Sequence, residues 1–72
     1  MSKLRDMLYQ STLAEKSKAL LTLDLLENHP AGIGDHSTDD FYKNADEALS
    51  ALADADDKLE AIEKYLVKKQ VI

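Results

Sequence analysis

The chain holds no cysteine and no tryptophan, and only one proline and two glycines in 72 residues. Without cysteine there is no disulfide and no thiolate metal site, and the absence fits a reducing compartment. No apolar run approaches the ~18–20 residues of a membrane span. Met1 to Leu4 lead into no apolar h-region, so no signal peptide is read, and the expectation is a soluble, cytoplasmic protein. Met1-Ser2-Lys3 reads as a native start, with the whole gene product expected to be in view. A chain this short is one domain, and a core of this size rarely supplies more than ~3–5 kcal/mol. With disulfides excluded, association with a second subunit is the expected staple.

Positive charge is scarce in the middle of the chain. Residues 1–20 carry four positive and two negative charges, and residues 58–72 the same. Residues 21–57 carry one positive and ten negative, which leaves the whole chain at −5. An acidic middle excludes the basic face that phosphate contact requires, so no nucleic-acid partner is expected.

Ala, Leu, Glu, Asp and Lys are abundant, a helix-bundle composition. Residues Phe41, Ala45, Ala48, Leu52, Ala55, Leu59, Ile62 and Leu66 are spaced alternately four and three apart. That heptad spacing keeps one helical stripe against a neighbour, and the residues between its members are mostly polar. Helix 2 is therefore predicted over about 38–69, with Ser37 or Thr38 as its cap and Asp39 and Asp40 at the positive end of its dipole. Its alanines lie towards the turn, where close approach is expected, and Leu59, Ile62 and Leu66 towards the termini, where the wider half has room for a second subunit or the tail Val71-Ile72. Asp54/Lys58 and Glu60/Lys64 are expected to pair along the helix. Helix 1 is predicted over about 3–28, with Ser2 as N-cap. One stripe holds Leu4, Met7, Leu8, Ala14, Leu21, Leu25 and Leu26; a second holds Tyr9, Leu13, Leu20 and Leu23. Helix 2 covers only one side of such a helix, and the stripe left over is expected to be that of Leu13, Leu20 and Leu23.

The break falls at residues 29–37. Pro30 stops a helix, Gly32 and Gly34 permit left-handed backbone, and Ile33 between them is expected to fold inward as a plug. A connection this short makes an antiparallel hairpin, with a basic tip at the termini and an acidic tip at the turn. Pairing such a rod antiparallel with its own copy brings opposite charges together and covers both stripes of helix 1. The expected architecture is all-α: a two-helix hairpin in a single domain, dimerising into a four-helix bundle.

Chemistry-bearing groups are sparse. His29, Asp35 and His36, with Asp39 or Asp40, are the weak metal candidates, since imidazole and carboxylate suit zinc. Their spacing matches no standard pattern, and the plainer reading is exposed or capping turn residues. Gly32-Ile33-Gly34 before a helix lacks the third glycine and the strand of a dinucleotide loop. Asp54, Asp56 and Asp57 lack the glycine and the terminal glutamate of a calcium loop, and read as a solvated face. Tyr9, Tyr42 and Tyr65 read as packing at the edge of the seam. No catalytic set and no cofactor site is expected.

Two stretches carry a resemblance. Leu25-Leu26-Glu27-Asn28-His29-Pro30-Ala31-Gly32-Ile33-Gly34-Asp35-His36-Ser37-Thr38 is one; Asp54-Ala55-Asp56-Asp57-Lys58-Leu59-Glu60 with Glu63-Lys64-Tyr65 is the other. Together they resemble small helical proteins of tailed marine phages, a group also met in ocean metagenomes and without an assigned activity. The turn is the more specific part, and the likeness spans roughly half the chain. It implies a phage origin and a setting in the infected host cell or the virion; no site residue carries over. The functional expectation is a non-enzymatic, self-associating protein-interaction module, homodimeric and with a host or phage protein as further partner. The alternative is a metal- or ligand-responsive protein built on the His29/Asp35/His36 turn.

Overall fold

The computed structural model describes residues 2–28 and 38–67. They form two α-helices, α1 (Lys3–Asn28) and α2 (Thr38–Ala61), and a π-helical segment (Ile62–Val67) that continues α2; there is no strand among the described residues. The helices pack against each other as an antiparallel hairpin, with Glu15 of α1 bonded to Lys58 of α2 and Leu8 beside Leu66. The chain is a rod of 56 × 16 × 16 Å with a radius of gyration of 16.2 Å. A compact globule of this length has a radius of gyration of about 11 Å. A rod two helices wide covers one face of each helix and leaves the rest to water.

Local chemistry explains the helix ends. Ser2 caps α1: the Arg5 N–H donates to its Oγ at 2.9 Å and the Asp6 N–H to its carbonyl at 3.1 Å. This is the N-cap arrangement that its sequence position implies. Asp39 and Asp40 stand in the first turn of α2, where the helix dipole favours anions. The last turn of α1 has no basic residue; instead Asn28 Nδ2 donates to the Asp24 carbonyl at 3.1 Å and to Asp24 Oδ1 at 2.6 Å. The turn at 29–37 lies outside the described residues, and with it the readings of His29, Pro30, Gly32, Ile33, Gly34, Asp35, His36 and Ser37. So do Lys68, Lys69 and the tail Val71-Ile72.

The apolar seam of α2 faces α1. Ala48, Ala55 and Ile62 are buried, and Phe41, Ala45, Leu52 and Leu59 are half-buried. The seam fails at its last member: Ile62 is 6 % exposed and Leu66 47 %. The cause is the π-helical segment, whose i→i+5 bonds put an extra residue in the turn and break the heptad register at that point. Leu66 is turned to one side, where it lines a groove of about 370 Å³ with Leu8, Thr12, Ile62 and Tyr65.

The face of α1 that meets this seam is not the expected one. Thr12, Ala19 and Leu26 are its buried residues, and Arg5, Leu13, Lys16, Thr22 and Leu23 are half-buried. Arg5, Tyr9, Thr12, Lys16, Ala19, Leu23 and Leu26 also run alternately four and three apart, a heptad spacing with charged or hydroxyl residues in four of its seven positions, of which Tyr9 is exposed. Thr12 tolerates burial because its Oγ1 donates to the Leu8 carbonyl at 2.7 Å. Leu13 and Leu23, expected to be left without a partner, are therefore half-buried on the packed side of α1, while Leu20, the third member of that stripe, is exposed as expected. The stripe left over is that of Leu4, Met7, Leu21 and Leu25. Two features set this rotation. Small side chains at Thr12 and Ala19 let α1 approach the alanines of α2, and two ion pairs flank the contact, Glu15–Lys58 at 3.3 Å and Lys16–Asp56 at 3.0 Å.

Candidate interaction surface

The features of this molecule that call for a function lie on its outside. Among the described residues five apolar side chains are buried, and three of them are alanines: Ala19, Ala48 and Ala55, with Leu26 and Ile62. The large apolar residues are mostly elsewhere. On α1, Leu4 is 67 % exposed, Met7 69 %, Leu21 59 % and Leu25 49 %, with Leu8 and Leu20 also open to solvent. On α2, Tyr42 and Leu49 are exposed too, and in the π-helical segment Tyr65.

These residues fall on distinct faces. Taking the inner positions of α1 as reference, Leu4, Met7, Ala14, Leu21 and Leu25 share heptad positions on the side facing away from α2. Ser11 and Lys18 complete the same stripe, and both are exposed. Leu8 stands at the edge of this stripe and joins it to the groove with Tyr65 and Leu66. Leu20 lies at the opposite edge, beyond Leu13. Exposed apolar residues scattered singly are ordinary, but here they are grouped on one face at both ends of a 26-residue helix, which makes that face the candidate interaction surface.

Charge is divided along the rod. At the turn end, residues 24–28 and 38–47 hold six acidic side chains and one basic one, Lys43. At the other end stand Lys3, Arg5 and Lys64 among Asp6, Glu60 and Glu63. The within-helix pairs expected on α2 are replaced by other contacts. Lys58 Nζ reaches across to Glu15 instead of along the helix to Asp54, and Lys64 Nζ lies 5.3 Å from the centroid of the Tyr65 ring. Asp56 turns to Lys16 and Asp54 lines the groove on the other side with Lys18 and Lys58, so the three aspartates of residues 54–57 do not converge. Tyr42 and Tyr65 are largely exposed, a departure from packing at the seam, although Tyr65 lines the groove beside Leu8 and Leu66.

Among the described residues no group of three or more His, Asp or Glu side chains stands close enough to hold a metal ion. The His29/Asp35/His36 set lies outside them. No helix among the described residues is long and apolar enough to cross a membrane. No family model matches the chain, and neither a curated protein nor a solved structure matches it.

Sequence reasoning found the residues of the outer stripe but assigned them to the intramolecular contact. It passed over Thr12 and Lys16 as inner positions. The signal that marks them is their phase: both continue the four–three spacing of Ala19, Leu23 and Leu26 back towards Arg5.

Proposed function

We propose that this protein is a non-enzymatic interaction module: a helical hairpin that self-associates, with a dimer forming a four-helix assembly. The observation that carries the reading is the outer stripe of α1, with Leu4, Met7, Leu21 and Leu25 between about half and two-thirds exposed. A helix that buries Thr12, Ala19 and Leu26 and presents Leu4, Met7, Leu21 and Leu25 has the character of half of a larger structure. Covering what remains exposed of each is worth ~1–2 kcal/mol, so the four together are comparable with everything a core of this size supplies. The resemblance in the turn and in α2 adds the proposed setting, an infected host cell or a virion, with a host or phage protein as a further partner on the surfaces a dimer leaves open.

The test is mass in solution. Sedimentation equilibrium or light scattering on a sizing column at micromolar concentration is expected to give twice the chain mass of 8.0 kDa. A single species at the chain mass, unchanged up to hundreds of micromolar, refutes the proposal.

A further inference from the structure

The outer stripe of α1 is self-complementary under a two-fold rotation. Its large apolar residues are grouped at both ends, Leu4 and Met7 at one and Leu21 and Leu25 at the other. They lie at nearly equal distances from Ala14, which is exposed at the middle. We propose that the occupant of this face is the same face of a second copy, laid antiparallel with the dyad beside Ala14. Leu4 and Met7 of one copy then meet Leu21 and Leu25 of the other. This rests on the self-association reading above and specifies which surface carries it and in what direction.

Three observations select this arrangement. The first is the polar content of the stripe. In a parallel, in-register pair Lys18 stands against Lys18 of the other copy at the edge of the contact, a like-charge pair. In the antiparallel pair it lies level with Ser11 of the partner instead. The second is charge along the rod. A parallel pair stacks two turn ends, each with six acidic side chains against one basic. The antiparallel pair sets each acidic end beside an end where Lys3, Arg5 and Lys64 balance Asp6, Glu60 and Glu63, and brings Lys3 close to the level of Asp24 of the other copy. The third is symmetry. A two-fold contact requires one patch that answers itself, residue i meeting j while j meets i. The spacing of Leu4, Met7, Leu21 and Leu25 about Ala14 meets that requirement, and small side chains at Ser11 and Ala14 let the two backbones approach at the centre. In the resulting assembly the α1 helices lie inside and the α2 helices outside.

The absence of native cysteine makes the geometry directly readable. Three single variants, Ala14→Cys, Leu4→Cys and Leu25→Cys, are oxidised or treated with a short bis-maleimide at a concentration where sedimentation shows the dimer. Ala53→Cys, on the exposed face of α2, reports random collision. The expected result is cross-linking of Ala14→Cys to itself at least tenfold faster than Ala53→Cys. Leu4→Cys alone is expected to stay at the collision rate, while an equimolar mixture of Leu4→Cys and Leu25→Cys yields the mixed product. Self-cross-linking of Leu4→Cys shows a parallel pair and overturns the proposal. A dimer in which Ala14→Cys stays at the collision rate places the contact on another face and also overturns it, while leaving self-association intact. A monomer by sedimentation removes both.

Discussion

Ile62 and Leu66 occupy equivalent seam positions in the sequence and unequal ones in the structure, so truncating each to alanine separates the heptad pattern from the observed packing. Ile62 is 6 % exposed and Leu66 47 %. Removing a buried isoleucine down to alanine costs about 2–5 kcal/mol, the spread depending on how far the site collapses. A hairpin two helices wide lets neighbours and water close the gap, which puts Ile62→Ala at the lower end, about 2 kcal/mol. Leu66 surrenders only part of its transfer free energy and leaves no closed cavity, so Leu66→Ala costs about 1 kcal/mol or less. Alanine's better helix propensity offsets a few tenths of a kcal/mol in both variants. At ~4–8 °C per kcal/mol for a domain of this size, Ile62→Ala lowers Tm by about 8–16 °C and Leu66→Ala by at most about 4–8 °C. The assay is thermal unfolding by far-UV circular dichroism, with all proteins at one chain concentration because association shifts Tm by mass action. Equal losses, or a larger loss for Leu66→Ala, would mean that the seam continues through Leu66 and that the π-helical segment does not break its register.

Thr12→Val replaces a buried hydroxyl whose partner is the Leu8 carbonyl of its own helix. It strands no polar group, so stability is expected to change by less than ~1 kcal/mol and to rise if it moves at all; a loss above ~2 kcal/mol in chemical denaturation contradicts this. Ser2→Ala removes the acceptor of the Arg5 N–H and is expected to cost ~1 kcal/mol, with faster amide exchange at Arg5 and Asp6, while Ser2→Asp keeps wild-type protection. A double-mutant cycle on Glu15 and Lys58, both about half exposed, is expected to give a coupling of ~0.2–1 kcal/mol that shrinks in salt; a coupling above ~2 kcal/mol refutes the view that the pair orients more than it stabilises. If hairpin and dimer are linked, each tenfold rise in chain concentration adds about 1.4 kcal per mole of dimer and raises Tm by about 3–6 °C. A Tm constant over a hundredfold range refutes the linkage.

The two helices were legible in the sequence to different degrees, for a physical reason. In α2 every seam position from Phe41 to Ile62 is apolar and the intervening residues are mostly charged, so period and burial coincide. In α1 they do not. Arg5 and Lys16 bury their stems while their charged heads reach Asp6 and Asp56, and Thr12 satisfies its hydroxyl within the helix. Residue types usually read as surface thus fill the inner positions from Arg5 to Lys16, and Leu4, Met7, Leu21 and Leu25 stand outside. A pattern argument that equates leucine with the covered side selects the wrong face. The π-helical segment left no mark either, since Ile62 and Leu66 keep the spacing of the preceding turns. Ser2 as N-cap was legible because capping depends on one hydroxyl and three residues of spacing.

The inversion of α1 assigns different work to its two faces. The inner face contributes few large apolar contacts, but it carries Glu15 and Lys16, which meet Lys58 and Asp56 on opposite sides of α2. The outer stripe has no acidic residue to answer Lys58 and a single cation, Lys18, to answer Asp56. Moving α2 to the outer face therefore leaves Lys58 without a matching acid and only Lys18 to answer Asp56, while moving a second α1 to the inner face sets leucines against Thr12 and Lys16. Exposed ion pairs add little stability, but the difference between matched and mismatched sites is what discriminates between partners. In this chain the ion pairs favour α2 on the inner side of α1, and under the proposed self-association the exposed leucines supply the drive to cover the other side.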